Sequence, residues 1–231
     1  GRKNPLLIVG SVIPDISSTS VDVLSRGKIH NLPYEFNEFV ETNYPEAKDF
    51  GLGVLLHCFH SKGADYYTDD LETGFAYKYG ALINEDTANL IGEEPNKVSL
   101  ILSHNFIEFA LDILLRGVYP ELAEDYKQAW GSVDEDLVKV IIADYLKLDE
   151  NIVEKEIIKF KRVLGWQNLL STEMQIENIA IPLIKIRLEK EVSKKEVLKV
   201  TNKATHVIEN SYQAFIENTV EKMKTDFEDY L

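Results

Sequence analysis

The sequence is short of cysteine, of positive charge and of alternating strand patterns, and each shortage removes a class of protein. Among 231 residues there is one cysteine, Cys58, so no intrachain disulfide can form. It lies in the apolar stretch Gly53-Val-Leu-Leu-His-Cys-Phe59 and reads as a buried small hydrophobe rather than a nucleophile. Lysine and arginine number 25 against 39 aspartates and glutamates, a formal net charge of -14. That balance lacks the surplus cations that a polyphosphate backbone or an anionic lipid surface requires, so long nucleic acid is excluded as a general partner. A single phosphate is not excluded, because bound metal ions bring their own positive charge. The longest apolar run near the start, Pro5 to Pro14, is too short to cross a bilayer and contains proline and glycine. No transmembrane segment is expected. The chain opens Gly1-Arg2-Lys3 with no signal-peptide pattern, and a cytoplasmic location is the expectation.

What the chain has is helical spacing of apolar residues. Leu7–Val12 is the one strand candidate. Glu35 to Val40 belongs to a short helix, and Asp49 to Phe59 opens a strongly apolar one. Asp65 to Gly74 reads as an acidic loop or a frayed turn. Pro95 to Gly117 forms a long helix in which Leu100, Ile101, Phe106, Ile107, Ala110, Leu111, Leu114 and Leu115 give a wide buried face. Ser132-Val-Asp-Glu135 has the form of a capping box, and Asp149 caps the helix after it, which stops near Gly165. Thr172 opens another helix, and Ser193-Lys-Lys-Glu196 caps a long final one running from Val197 to Met223. The expectation is an all-α, compact multi-helix domain covering residues 1–231, with a metal-bearing half at about 6–115 and a helical half at about 120–231.

The chemistry concentrates in the first half. Four of the five histidines, at 30, 57, 60 and 104, fall there. His206, on the polar-to-apolar boundary of the last helix, reads as an ordinary surface group. His104 and Glu108 sit four apart on the long helix, an advance of about 6 Å that projects both from one face. An imidazole and a carboxylate in that arrangement are natural ligands for zinc or a similar ion. Ile101, Ile107 and Leu111 flank His104, so the pair points inward, where an uncompensated carboxylate is expensive. A buried His–Glu hydrogen bond is the other reading of the same pair. His57 also faces inward, among Leu55, Leu56 and Phe59. On a continuous helix His57 and Ser61 share a face, and Asp65 lies about 12 Å from His57 unless Gly63 breaks the helix.

Read in order, Gly10-Ser-Val-Ile-Pro14-Asp15, His30, the Gly53-to-His57 helix and His104-x-x-x-Glu108 resemble the zinc-dependent phospholipase C and single-strand nuclease superfamily, especially its small bacterial members. The resemblance covers roughly residues 6 to 115. It implies an all-α fold of the phospholipase C type and one or two zinc or similar divalent ions. The ligands it implies are Asp15, His30, His57, His104 and Glu108, with Asp65 as a further candidate and Asp15 doubling as proton acceptor. The family places an Asp four residues after the His of the central helix, where this chain has Ser61, and a further His where this chain offers Asp65. The implied activity is hydrolysis of a phosphoric ester, with metal-activated water attacking a small or lipid-like phosphodiester. Two alternatives accompany it. One is a helical binding or scaffold protein of the same fold without catalysis. The other is a hydrolase like the acyl-carrier-protein phosphodiesterases, whose His/Asp segment is similar to His60 through Asp69.

Overall fold

The computed structural model describes residues 4–19, 26–228 and 230, and among these every regular element is helical. The contacts gather into two compact units. The first comprises Gly1–Tyr66, Glu124–Trp166 and Lys222–Leu231; the second comprises Tyr67–Ala123 and Gln167–Glu221. Each unit therefore draws on both halves of the sequence.

In the first unit, Leu7–Val12 is not a strand. Asn4 caps a helix, Pro5–Gly10, by accepting hydrogen bonds from the backbone N–H of Leu6 and Leu7, and Pro5 occupies the first turn, where its missing N–H costs nothing. Helix Pro5–Gly10 packs on helix Lys48–His57, which also packs on Pro33–Asn43. The first crossing is backbone on backbone: a side chain at Gly53 would strike the Leu7 carbonyl, so only glycine permits the approach. Val9, Ile13, Phe36, Val40, Phe50, Val54 and Leu55 form a fully buried core around it. Helices Glu135–Leu146 and Glu150–Val163 add Val138, Ile141, Ile142, Val153, Ile157 and Phe160. The second of these also packs on the tight helical segment Ile13–Thr19, holding the stretch that carries Asp15.

In the second unit, helix Lys97–Val118 is central. It packs against Phe75–Gly80, Asn84–Ile91 and Lys194–Ile208 and buries Leu102, Phe106, Ile107, Ala110 and Leu111 in their shared core. Leu114 is partly buried against this core, whereas Ile101, expected inside, is 39% exposed. Lys97–Val118 is long and apolar enough to cross a membrane by length and composition alone.

Several boundaries differ from the expectation for local reasons. Helix Leu122–Ser132 runs through Ser132, so Asp134, not Ser132, caps Glu135–Leu146, accepting from the N–H of Asp136 and Leu137. Asp149 caps Glu150–Val163 and Ser193 forms its capping box with Glu196, both as the spacing predicts. The expected single final helix is two, Lys194–Ile208 and Tyr212–Asp226. They part at Glu209-Asn-Ser211, where the Ser211 N–H donates to the Ile208 carbonyl and its hydroxyl accepts from Tyr79. Asp65 to Gly74 is not wholly a loop, because Ala64–Asp69 is a helix.

Candidate metal centre

Two clusters of histidine and carboxylate occur among the described residues, one in each unit. The first brings together Asp15, His30, His57 and Asp65. How Asp65 reaches His57 is decided at the end of helix Lys48–His57. Cys58 turns out of the helix into extended backbone at φ -73°, ψ 150°, a short turn Phe59–Ser61 follows, and Lys62 takes the left-handed conformation at φ 60°. The Gly63 N–H then donates to the Cys58 carbonyl at 2.9 Å, closing the turn. A β-carbon on Gly63 would lie 2.5 Å from the Leu56 carbonyl oxygen, so glycine is required for the chain to fold back this tightly. Asp65 enters on the next helix, 2.9 Å from His30 Nε2 and 3.3 Å from His57 Nε2. Asp15 lies 3.9 Å from His57 Nε2.

Ser61 is consequently no ligand. It is 2% exposed, and its hydroxyl donates to the Leu55 carbonyl at 2.6 Å and lies 3.0 Å from that of Cys58. It satisfies the Leu55 carbonyl, which the helix end leaves without an intrahelical partner. The continuous-helix geometry that would put Ser61 on the face of His57 does not exist, and Asp65 stands beside the histidines instead.

The imidazoles are oriented for an ion. His57 Nδ1 is 2.8 Å from the Ser11 carbonyl oxygen. A carbonyl only accepts, so Nδ1 carries the proton and the Nε2 lone pair faces the carboxylates. The His30 and His57 rings are perpendicular, at 87°, with centroids 5.5 Å apart. Burial, then the negative charges of Asp65 and Asp15, raise the nearby Cys58 thiol far above the usual thiol range.

The second cluster is Asp69, His104 and Glu108. His104 lies on the buried side of Lys97–Val118 at 7% exposure, as the apolar flanks predict. Its Nε2 is 2.8 Å from Asp69 and 3.8 Å from Glu108. Its Nδ1 is 3.1 Å from the Asn105 side-chain oxygen, and Tyr77 stacks on the ring at 4.6 Å. Burial opposes a charged His104, but the hydrogen bond to Asp69 and the charge of Glu108 together push its pKa up to about 9. Asp69 is the ligand candidate that reading the sequence misses. Its spacing of four from Asp65 is the available signal, legible only once Ala64–Asp69 is known to be helical.

Donors bound to one divalent ion at roughly 2.0–2.2 Å lie about 3–4 Å from each other. The separations in both clusters, 2.9, 3.3 and 3.9 Å in the first and 2.8 and 3.8 Å in the second, fit that requirement. Both donor sets, imidazole nitrogen with carboxylate oxygen, suit zinc or a similar ion. The remaining histidines stand apart: His60 is exposed beside Phe59, and His206 is 78% exposed and pairs with Glu209 at 3.0 Å. No known protein family, curated protein or solved structure matches the chain.

Proposed function

We propose that the protein is a metal-dependent phosphoric-ester hydrolase acting on a small or lipid-like phosphodiester. One observation carries this reading: in each cluster an imidazole Nε2 faces carboxylates at ion-compatible distances while its Nδ1 is held by an oxygen acceptor. When bound, a zinc-type ion supplies Lewis acidity and lowers the pKa of water toward neutrality. His30, His57 and Asp65 hold the first ion, and His104, Asp69 and Glu108 hold the second. Asp65 is 14% exposed and wedged between two imidazoles, whereas the Asp15 side chain is 39% exposed, so Asp15 is the carboxylate placed to exchange protons with solvent. It is assigned as the acceptor of the proton that leaves water as the new P–O bond forms; the ester P–O bond breaks, and that proton is returned to the departing alkoxide, which leaves as the alcohol. The deficit of surface cations disfavours a long polyanion and leaves the compact phosphodiester as substrate class.

The test is elemental analysis of protein purified without added metal or chelator, together with turnover of bis(4-nitrophenyl) phosphate. At least one tightly held divalent ion is expected. Asp15→Asn should abolish turnover while leaving most of the bound ion in place, and His104→Ala with Glu108→Ala should remove the second ion. Metal content near zero in the unmutated protein would end the hydrolase reading. Metal without turnover would favour a binding protein of the same helical architecture.

A further inference from the structure

The two clusters differ in donor chemistry in a way that bears on which ion each keeps. The first holds its ion with two imidazoles and one carboxylate, and His30, His57 and Asp65 are 8%, 13% and 14% exposed. Three protein donors, two of them imidazole nitrogens, leave the fourth place of a tetrahedron to water, which is zinc's arrangement at a catalytic site. The second offers one imidazole and two carboxylates, and Glu108 is 39% exposed. Three donors, two of them oxygen, leave several positions of a larger shell to water. Such an oxygen-dominated, partly hydrated set suits the harder, six-coordinate ions, manganese and magnesium.

From this contrast we infer that the two clusters keep different metals: the first retains zinc and the second exchanges it for manganese. The inference rests on the reading of both clusters as metal centres. Zinc outranks manganese at almost any site of nitrogen and oxygen donors, so the difference lies in the size of that preference. Replacing an imidazole by an oxygen donor weakens zinc more than manganese, and open positions remove the penalty manganese suffers in a four-coordinate cage. The zinc-over-manganese preference of the second cluster should be lower than that of the first by about tenfold or more.

The experiment uses the full chain, loaded with zinc and dialysed against graded excesses of manganese. Elemental analysis gives the stoichiometry and the electron paramagnetic resonance of Mn(II) reports the exchanged ion. Over a window of manganese excess, one zinc should be replaced and the other retained. The manganese signal should vanish in Asp69→Ala and persist in His30→Ala, with circular dichroism confirming that both variants fold. Asp69→His, which restores a second imidazole, should make both ions resist exchange. Exchange of both ions over the same range, or a signal lost in His30→Ala but kept in Asp69→Ala, would overturn the inference while leaving two metal centres in place. A chain that takes up no ion would overturn the metal-centre reading and this inference with it.

Discussion

Replacing Gly63 by alanine should disable the first cluster without touching any ligand. The added β-carbon would sit 2.5 Å from the Leu56 carbonyl oxygen and 2.6 Å from that of Leu55, whereas ordinary contact begins at 3.4 Å. Both obstacles are backbone, so the turn itself must open, by about 0.9 Å from the difference of those distances. Asp65 follows two residues later, and its 3.3 Å separation from His57 would widen by a similar amount. Losing the alignment of one ligand should lower zinc affinity by about tenfold to 100-fold, about 1.4 to 2.7 kcal/mol. Strain in the turn should cost the metal-free protein a further ~1–3 kcal/mol of stability. Competition against a chromophoric chelator measures the first quantity, and denaturant unfolding of chelator-treated protein measures the second. Asp65→Ala provides the reference, since it removes the carboxylate without the clash. If Gly63→Ala binds zinc like the unmutated chain while Asp65→Ala does not, the turn is not what delivers Asp65.

Three further outcomes follow from the geometry. Ser61→Ala leaves the buried Leu55 carbonyl without its side-chain donor, while the Gly63 N–H still serves Cys58, and should lower stability by about 1–3 kcal/mol; Ser61→Asp should be worse, setting a carboxylate against that carbonyl, and a gain of bound metal in that variant would refute the assignment. In metal-free protein, the His104 ring should titrate near pH 9 by NMR, because Asp69 and Glu108 outweigh its burial. A base whose folded pKa is raised stabilises fully below its unfolded value near 6.5, and loses that contribution as pH rises through 9. Asp69→Asn should reduce this pH dependence, and a His104 pKa unchanged in that variant would contradict it. Asp112 behaves oppositely in origin: burial raises its carboxyl to about 6, against the lowering effects of Arg116 and the Gln175 hydrogen bond. The fold favours its neutral form, so its contribution is present below about pH 3.8 and lost as pH rises through 6. Asp112→Asn should therefore raise the melting temperature more in mildly alkaline than in acidic buffer, and an equal change at both would refute the burial argument.

Where apolar spacing runs over several turns, the sequence is a sufficient guide. The long helix and the inward direction of His104 follow from Leu100, Phe106, Ile107, Ala110 and Leu111 recurring along it, although Ile101, read into the same face, is exposed. Short elements are different. Leu7–Val12 offers too few residues for its period to separate strand from helix, and the informative signal is Asn4-Pro5, a cap followed by a first-turn proline. The break comes at Cys58, before Gly63, where the sequence allows one, because Cys-Phe-His-Ser continues the apolar pattern while the Ser61 hydroxyl donates back to the Leu55 carbonyl. Asp69 stays hidden for the opposite reason. Asp-Tyr-Tyr-Thr-Asp is poor in strong helix formers, so the Ala64–Asp69 turn depends on surroundings that local propensity does not contain. Most of the candidate site is thus visible: Asp15, His30, His57, Asp65, His104 and Glu108 are all candidates the sequence offers, and Asp69 is not.

The interleaving of the two units has a consequence for synthesis. The first unit is assembled from three separate segments, the last beginning at Lys222, and its bonds join distant points: Tyr44 to Asp144, 100 residues apart, and Tyr145 to the Lys28 carbonyl, 117 apart. A nascent chain emerging from the ribosome therefore holds Asp15, His30, His57 and Asp65 long before it holds the Glu150–Val163 helix that braces the Asp15 segment. Closing such long loops is slow, and the amino-terminal apolar helices wait in water meanwhile. On the proposed reading, an ion captured early by the exposed histidines would cross-link the chain ahead of its scaffold, and metal supply during synthesis would then bear on the order of folding.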